Sequence, residues 1–521
     1  MGLTGNPLQV LINVTGGFAF LLFGYDQGVM GGLLALPQFQ ERFRHPSPTM
    51  QGFMVASYDL GCLLGAMLCF YFANLTGRRW TIAIGCVVLL VGAALQTASY
   101  SVAQFIVGRI VAGVGVGAVS ATVPMYISEC CKASRRGIMI CIQLAIVVTG
   151  IVISGFTNYG LVFETPSLAG KDGQWRTALG IQMTFPVFVF FLLPFCPESP
   201  RWLASRGASL KEVASVLALL EGKGATDTSP HILSLANEII LVAQHEAELE
   251  ASTTWRDVSS PVAAMKPAGL DPTFQANIID PFANMITFGG GELQNGRRLL
   301  LSGFVVGLLQ QITGVNAIVY YAPVVFQDAG LTPRMAFIMG GVGSIAMLVG
   351  TLLPILWIER AGRRKTLLIS AWLEVFTMGG IAAAIGFGIN HPEHRESSGW
   401  AATAFILAFE FCFGLGVYAP EVTSLRSRHK GNAVQSMGLW AGCFLIVMVS
   451  PVGAGRSLEQ MDYFFKKYQD KWYIRDVAYE WVERDEVMIP DQDGVKEQSI
   501  ELEDVNHKTT LGATSSPPAA P

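Results

Sequence analysis

The sequence predicts an all-α membrane protein built from two parallel helical halves. Three observations carry this. Of 521 residues, 51% are hydrophobic and only 14% are charged, about half the charge that coats a soluble domain. Eleven stretches are apolar over the roughly 20 residues that a helix needs to cross a bilayer. Short signals also recur in the same direction on either side of a long polar loop. The 56 Gly suit close-packed membrane helices. A net charge of −4 gives no basic footprint for nucleic acid.

Six spans come first, near 10–36, 51–73, 80–99, 103–126, 138–160 and 177–196. Five follow the loop, near 299–326, 335–358, 366–388, 400–420 and 433–453. The expected organisation is a first transmembrane half over 1–203, a cytoplasmic loop with short helices over 204–298, a second half over 299–455, and a polar tail over 456–521. The first nine residues hold no Lys or Arg, and the first apolar run is a full span, so no cleavable signal peptide is expected. Twelve short-loop cations fall on one side (Arg78, Arg79, Lys132, Arg135, Arg136, Arg360, Arg363, Arg364, Lys365, Arg426, Arg428, Lys430). Six fall on the other. The positive-inside rule then places the N-terminus and the central loop in the cytoplasm.

The halves rhyme. Gly77-Arg78-Arg79 follows span 2, and Gly362-Arg363-Arg364 follows span 8. Pro124, Tyr126 and Glu129 end span 4, and Tyr418, Pro420 and Glu421 end span 10, each before an arginine pair. Such parallel repeats mark a transporter. The nine Cys lie mostly in apolar runs without disulfide or zinc spacing. The sequence holds no phosphate loop, no His-Glu-x-x-His pair and no nucleophile elbow. No enzyme, cofactor or metal is therefore expected. All seven His lie in loops or the tail, so none relays protons through the membrane.

More specific strings follow: Phe23-Gly24-Tyr25-Asp26-Gln27-Gly28, Gly108-Arg109 with Gly113, Gly115 and Gly117, Pro124-Met125-Tyr126-Ile127-Ser128-Glu129, Pro197-Glu198-Ser199-Pro200-Arg201-Trp202-Leu203 and Gln310-Gln311-Ile312-Thr313-Gly314-Val315-Asn316-Ala317. Together they resemble the sugar porter family of the major facilitator superfamily, in its fungal form, over about residues 18–467. The resemblance implies a major facilitator fold and a carrier of a monosaccharide or polyol. It also exposes departures. The family ordinarily has twelve spans, and here Ser450-Pro451-Val452-Gly453 runs almost at once into Gly455-Arg456-Ser457. A twelfth span is thus missing from the pattern. Met347 and Leu439 stand where relatives often have Asn, and Asn74 stands where they have an acid.

Amides suit a neutral, hydroxyl-covered ligand, because Asn and Gln both donate and accept. Read from the residues alone, Gln143, Gln310, Gln311 and Asn316 either bind such a ligand or join helices. The resemblance places all four at sugar contacts, with Trp440 and Tyr321 at pocket and gate positions. Tyr25 and Tyr320 are further aromatic candidates. Asp26, Asp59 and Arg109 all fall about 9–15 Å below the outer surface at 1.5 Å per residue. An isolated charge there costs roughly 2.5–3.5 kcal/mol, so Arg109 is expected to pair with Asp26, and Asp59 to join them. A proton on Asp26 would release Arg109, a physical coupling step; the alternative is a permanent structural pair. On the cytoplasmic side, Glu129 is expected to face Arg78, Arg79, Arg135 and Arg136, and Glu359 and Glu421 to face Arg363, Arg364, Arg426 and Arg428, as gating ion pairs. Glu374 and Glu410 are buried acids that the resemblance does not explain; pairing with each other is one option. The expected protein is a plasma-membrane monomer whose partners are its substrate, protons and lipid. The rival readings are a non-transporting nutrient sensor and a truncated, poorly active paralogue.

Overall fold

A computed structural model of the chain describes residues 3–131, 136–168, 170–222, 224–252, 300–328, 330–357, 363–416 and 428–453. All of these lie in one compact unit, Met1–Arg456. Among them, regular structure is helical throughout.

The first half begins with α1 (Asn6–Leu34), the short α2 (Pro37–Arg42) and α3 (Pro48–Thr76). It continues through α4 (Arg78–Thr97), α5 (Val102–Cys130) and α6 (Arg136–Phe163), and its sixth span comes in two pieces, α7 (Gly173–Ile181) and α8 (Thr184–Leu192). Then come α9 (Pro200–Ser205), α10 (Leu210–Glu221) and α11 (Pro230–Ser252). The second half opens with a π-helical turn, Leu300–Val305, that runs into α12 (Val306–Ile312), followed by α13 (Val315–Asp328) and α14 (Pro333–Leu352). It closes with α15 (Arg363–Asn390), α16 (Arg395–Gly416) and α17 (Arg428–Gly453). Serines start several helices by accepting a backbone N–H: Ser47 from Met50, Ser101 from Gln104 and Ser199 from Trp202. Ten spans are long and apolar enough to cross a membrane among the described residues. The eleventh, α17, has a shorter apolar stretch, Val434–Ser450. Its 26 residues still reach about 39 Å, more than a hydrocarbon core of about 30 Å.

Sequence pattern reads spans 6 and 7 as continuous, but both are broken. Pro186 has no N–H to give the carbonyl of Gln182, and the chain turns at Gln182–Met183. Gly314 sits at φ 89°, a conformation that side-chain-bearing residues avoid, and it parts α12 from α13. A second kink falls at Tyr321 (φ −119°, ψ 17°), just before Pro323.

Within the first half, α3 and α4 pack on α5, and α1 packs on α6. Gly113 and Gly117 let α5 touch α3: a methyl on either would collide with the carbonyl oxygen of Tyr58 or Cys62. Within the second half, α16 packs on α14 and α15, and α12 packs on α17. The halves meet through α3 against α17, α6 against α14, and α1 against α13. Beneath them, α10 opens with a capping box of Ser209 and Glu212. It buries Val213, Ala214, Leu217 and Leu220 on one face. Its last turn meets the start of α1, where the Gly5 N–H donates to the Leu219 carbonyl at 2.7 Å. The two halves are covered unequally. The apolar window of α15 is 17% buried, against 44% for α4, its counterpart in the first half.

Candidate functional site

A cavity of about 250 Å³ lies between the halves. It is walled by α1, α5 and α6 on one side and by α12, α13, α14, α16 and α17 on the other. Gln143, Gln310, Gln311, Asn316 and Trp440 all line it. The break at Gly314 brings α12 and α13 together here: Asn316 Nδ2 donates to Gln311 Oε1 at 2.5 Å and contacts Cys443 Sγ at 2.8 Å. Gln143 is buried, and its Nε2 has no hydrogen-bond partner among the described residues. A buried donor of this kind is what a hydroxylated ligand would satisfy. Trp440 is 1% exposed. Its ring lies 5.0 Å from that of Phe23, and its Nε1 reaches Ser120 Oγ across the halves at 3.4 Å. Tyr321 lies outside this cavity lining; its hydroxyl donates to the Val447 carbonyl at 3.2 Å.

The buried charges form a second cluster. Arg109 Nη1 meets Asp26 Oδ1 at 3.2 Å, with side chains 0% and 2% exposed. Arg109 Nη2 donates to the Val55 carbonyl at 3.2 Å, and the guanidinium stacks on Tyr58 at 4.4 Å. Asp59 joins by a different route: it accepts the Tyr320 hydroxyl at 3.1 Å, which ties α3 to α13 across the halves. Tyr25 donates to the Ala178 carbonyl at 2.8 Å and so anchors α7 instead. Glu374 accepts from Ser370 Oγ at 2.7 Å. Glu410 packs against Gly343 with Oε2 unpartnered among the described residues. No hydrogen bond links those two acids among the described residues.

At the arginine-rich end, Glu129 meets Arg78 at 3.3 Å and accepts Ser199 Oγ at 2.5 Å. Glu198 accepts the Arg78 and Arg79 backbone N–H groups at 3.0 and 3.3 Å, a carboxylate at the positive end of α4. The Arg79 side chain reaches the Pro194 carbonyl at 3.3 Å. These contacts all lie within the first half. Arg135, Glu359, Glu421 and Arg426 lie outside the described residues, as do the side chains of Arg136, Arg363, Arg364 and Arg428. At the other end an exposed ion pair bridges the halves, Arg334 to Glu164 at 2.9 Å.

Reading the sequence missed four participants. Gln27 and Gln435 line the cavity, Glu198 holds the α4 terminus, and Ser199 donates to Glu129 on α5. Gln27, Glu198 and Ser199 stood inside quoted strings without a role. Gln435 carried the same signal as Gln143, an amide at the edge of an apolar helix.

The chain matches the family model described as sugar (and other) transporter over residues 10–268 and 277–469. It is 30% identical to the MFS-type transporter oryC of Aspergillus oryzae, over 92% of this chain and 82% of that protein. It is 29% identical to the sugar transporter STL1 of Saccharomyces cerevisiae, over 88% and 76%. Among solved structures, the xylose transporter XylE of E. coli, in a partially occluded inward-open conformation, superposes with a TM-score of 0.64 at 21% identity, over 86% of this chain and 93% of that one. Two helical halves, a cavity between them and a family match along most of the length converge: the chain is a multi-pass membrane protein of the sugar transporter family in the major facilitator superfamily.

Proposed function

We propose that the protein carries a monosaccharide or polyol across the plasma membrane by alternating access, with its N-terminus in the cytoplasm and a single chain as the working unit. The observation that carries this is the amide set of Gln143, Gln310, Gln311 and Asn316 around one cavity between the halves. Each hydroxyl taken from water must find a partner, and four amides offer donors and acceptors without a net charge. Trp440 supplies an aromatic face for the apolar side of a sugar ring. The relatives named for sugar transport and the xylose carrier of like fold support the substrate class.

Proton coupling is assigned to Asp26 and Arg109. With Asp26 ionised the pair is closed. With Asp26 neutral, Arg109 must find other partners, so the two protonation states favour different helix arrangements. The xylose carrier of like fold is a proton:xylose symporter. Glu129, Arg78 and Arg79 are assigned to the inner gate, where they join α4 and α5 to the segment after span 6. The test is radiolabelled sugar uptake in a yeast strain lacking hexose carriers, with and without a protonophore. Uptake that collapses with the protonophore supports symport. Protonophore-insensitive uptake makes the protein a facilitator, and no uptake of any monosaccharide or polyol sinks the proposal.

A further inference from the structure

The cavity lining mixes amides with apolar side chains. Its amides include Gln143, Gln310, Gln311 and Asn316. Apolar lining comes from Val148, Ile151, Val319, Met347 and Phe413. These five also belong to a single contact cluster across α6, α13, α14 and α16, so the apolar wall is continuous. Leu439 extends apolar lining onto α17, beside Trp440. Met347 and Leu439 therefore present apolar chains to the cavity from α14 and α17, with no hydrogen-bonding group on either.

A free hexose carries hydroxyls around its whole ring. Any hydroxyl turned toward the Met347 wall leaves water without a partner, which is unfavourable. An apolar group turned the same way gains from burial, roughly in proportion to its area. We propose that the substrate is a sugar bearing an apolar substituent, an aryl or alkyl glycoside, with its ring hydroxyls on the amides and its substituent on the Met347 wall. This rests on the reading of the cavity as a sugar site. Met347 suits such a role, because its flexible, polarisable chain adapts to varied apolar shapes.

The test is isothermal titration of the full-length chain in lipid nanodiscs with D-glucose, D-xylose and their phenyl β-glycosides. The expected result is that at least one phenyl glycoside binds about tenfold or more tightly than its parent sugar, a difference of about 1.4 kcal/mol. Met347→Asn and Leu439→Asn should each erase that preference, and Met347→Leu should keep it. Two asparagine variants guard against one that fails to fold. A parent sugar that binds as tightly as its glycoside overturns the inference and leaves the sugar site standing. So does a preference that survives both asparagine substitutions. If neither sugars nor glycosides bind, the sugar-site reading itself fails, and the inference falls with it.

Discussion

At the residue scale, the site rests on side chains whose partners decide their effect. Gln310→Ala removes a hydrogen-bonding amide from the cavity wall. Loss of one such bond in a buried setting costs about 1–3 kcal/mol, so apparent sugar affinity should fall about tenfold or more. A concentration series of uptake checks this, and an unchanged half-saturation point would remove Gln310 from binding. Asp26→Asn keeps the size of the side chain but cannot release a proton. Accumulation against a gradient should vanish while exchange of labelled for unlabelled substrate persists. If the parent protein never accumulates substrate, the Asp26–Arg109 pair is structural instead. Arg109→Ala is a harsher change. It strands a carboxylate that is 2% exposed, and removing one partner of a buried pair costs about 3–5 kcal/mol. Thermal unfolding in detergent should show a large loss of stability, whereas Asp26→Asn, which keeps the Arg109 contact available, should show a smaller one.

At the element scale, three breaks and two glycines do most of the shaping. The turn at Gly314 lets Asn316 reach back to Gln311, so an unbroken span 7 would separate them. At the kink, Tyr321 donates its hydroxyl to the Val447 carbonyl of α17, and the neighbouring Tyr320 ties α13 to α3 through Asp59. That bond crosses between the halves inside the protein. Tyr320→Phe and Asp59→Ala each remove that bond and should each widen the mouth at the end bridged by Arg334 and Glu164. Spin labels at Lys171→Cys and Glu396→Cys, both exposed sites, report the distance across it. An unchanged distance distribution in both variants would show that the bond does not hold the halves together. The Arg334 pair is 64% and 56% exposed and contributes at most about 1 kcal/mol, so its removal should move the distribution less.

At the scale of the whole molecule, the two halves are matched in topology but not in cover. The α4 helix is flanked by α5, α7 and α8. Its counterpart α15 leaves Trp372 and Phe376 74% and 71% exposed. We propose, on the sequence pattern, that a twelfth span is missing from this chain. This resolves a conflict. Eleven spans from a cytoplasmic N-terminus would put residues 456–521 outside the cell, yet Gly455-Arg456-Ser457-Leu458-Glu459 resembles a cytoplasmic motif. Comparison of the transcript with genomic DNA between the codons for Gly453 and Arg456 should reveal an in-frame coding segment of about 30–40 mostly apolar residues, the length of a span with its turns. Restoring it should raise transport. A confirmed junction, with robust uptake by the chain as it stands, would overturn this.

Composition and periodicity determined the class of molecule and the positions of its spans, because a bilayer imposes one length and one polarity on every crossing helix. Parallel repeats determined that there are two halves. The amides and buried charges were legible as single residues, since each is expensive in an apolar helix. Their relations were not legible. No spacing shows that Asp59 meets Tyr320 rather than Arg109, that Glu198 caps α4, or that Met347 shares a wall with Phe413. Those depend on which faces of distant helices meet, and on breaks at Gln182 and Gly314 that turn those faces. Local sequence governs how a helix forms and where it can end. Only the packing of the helices decides what each side chain finds opposite it.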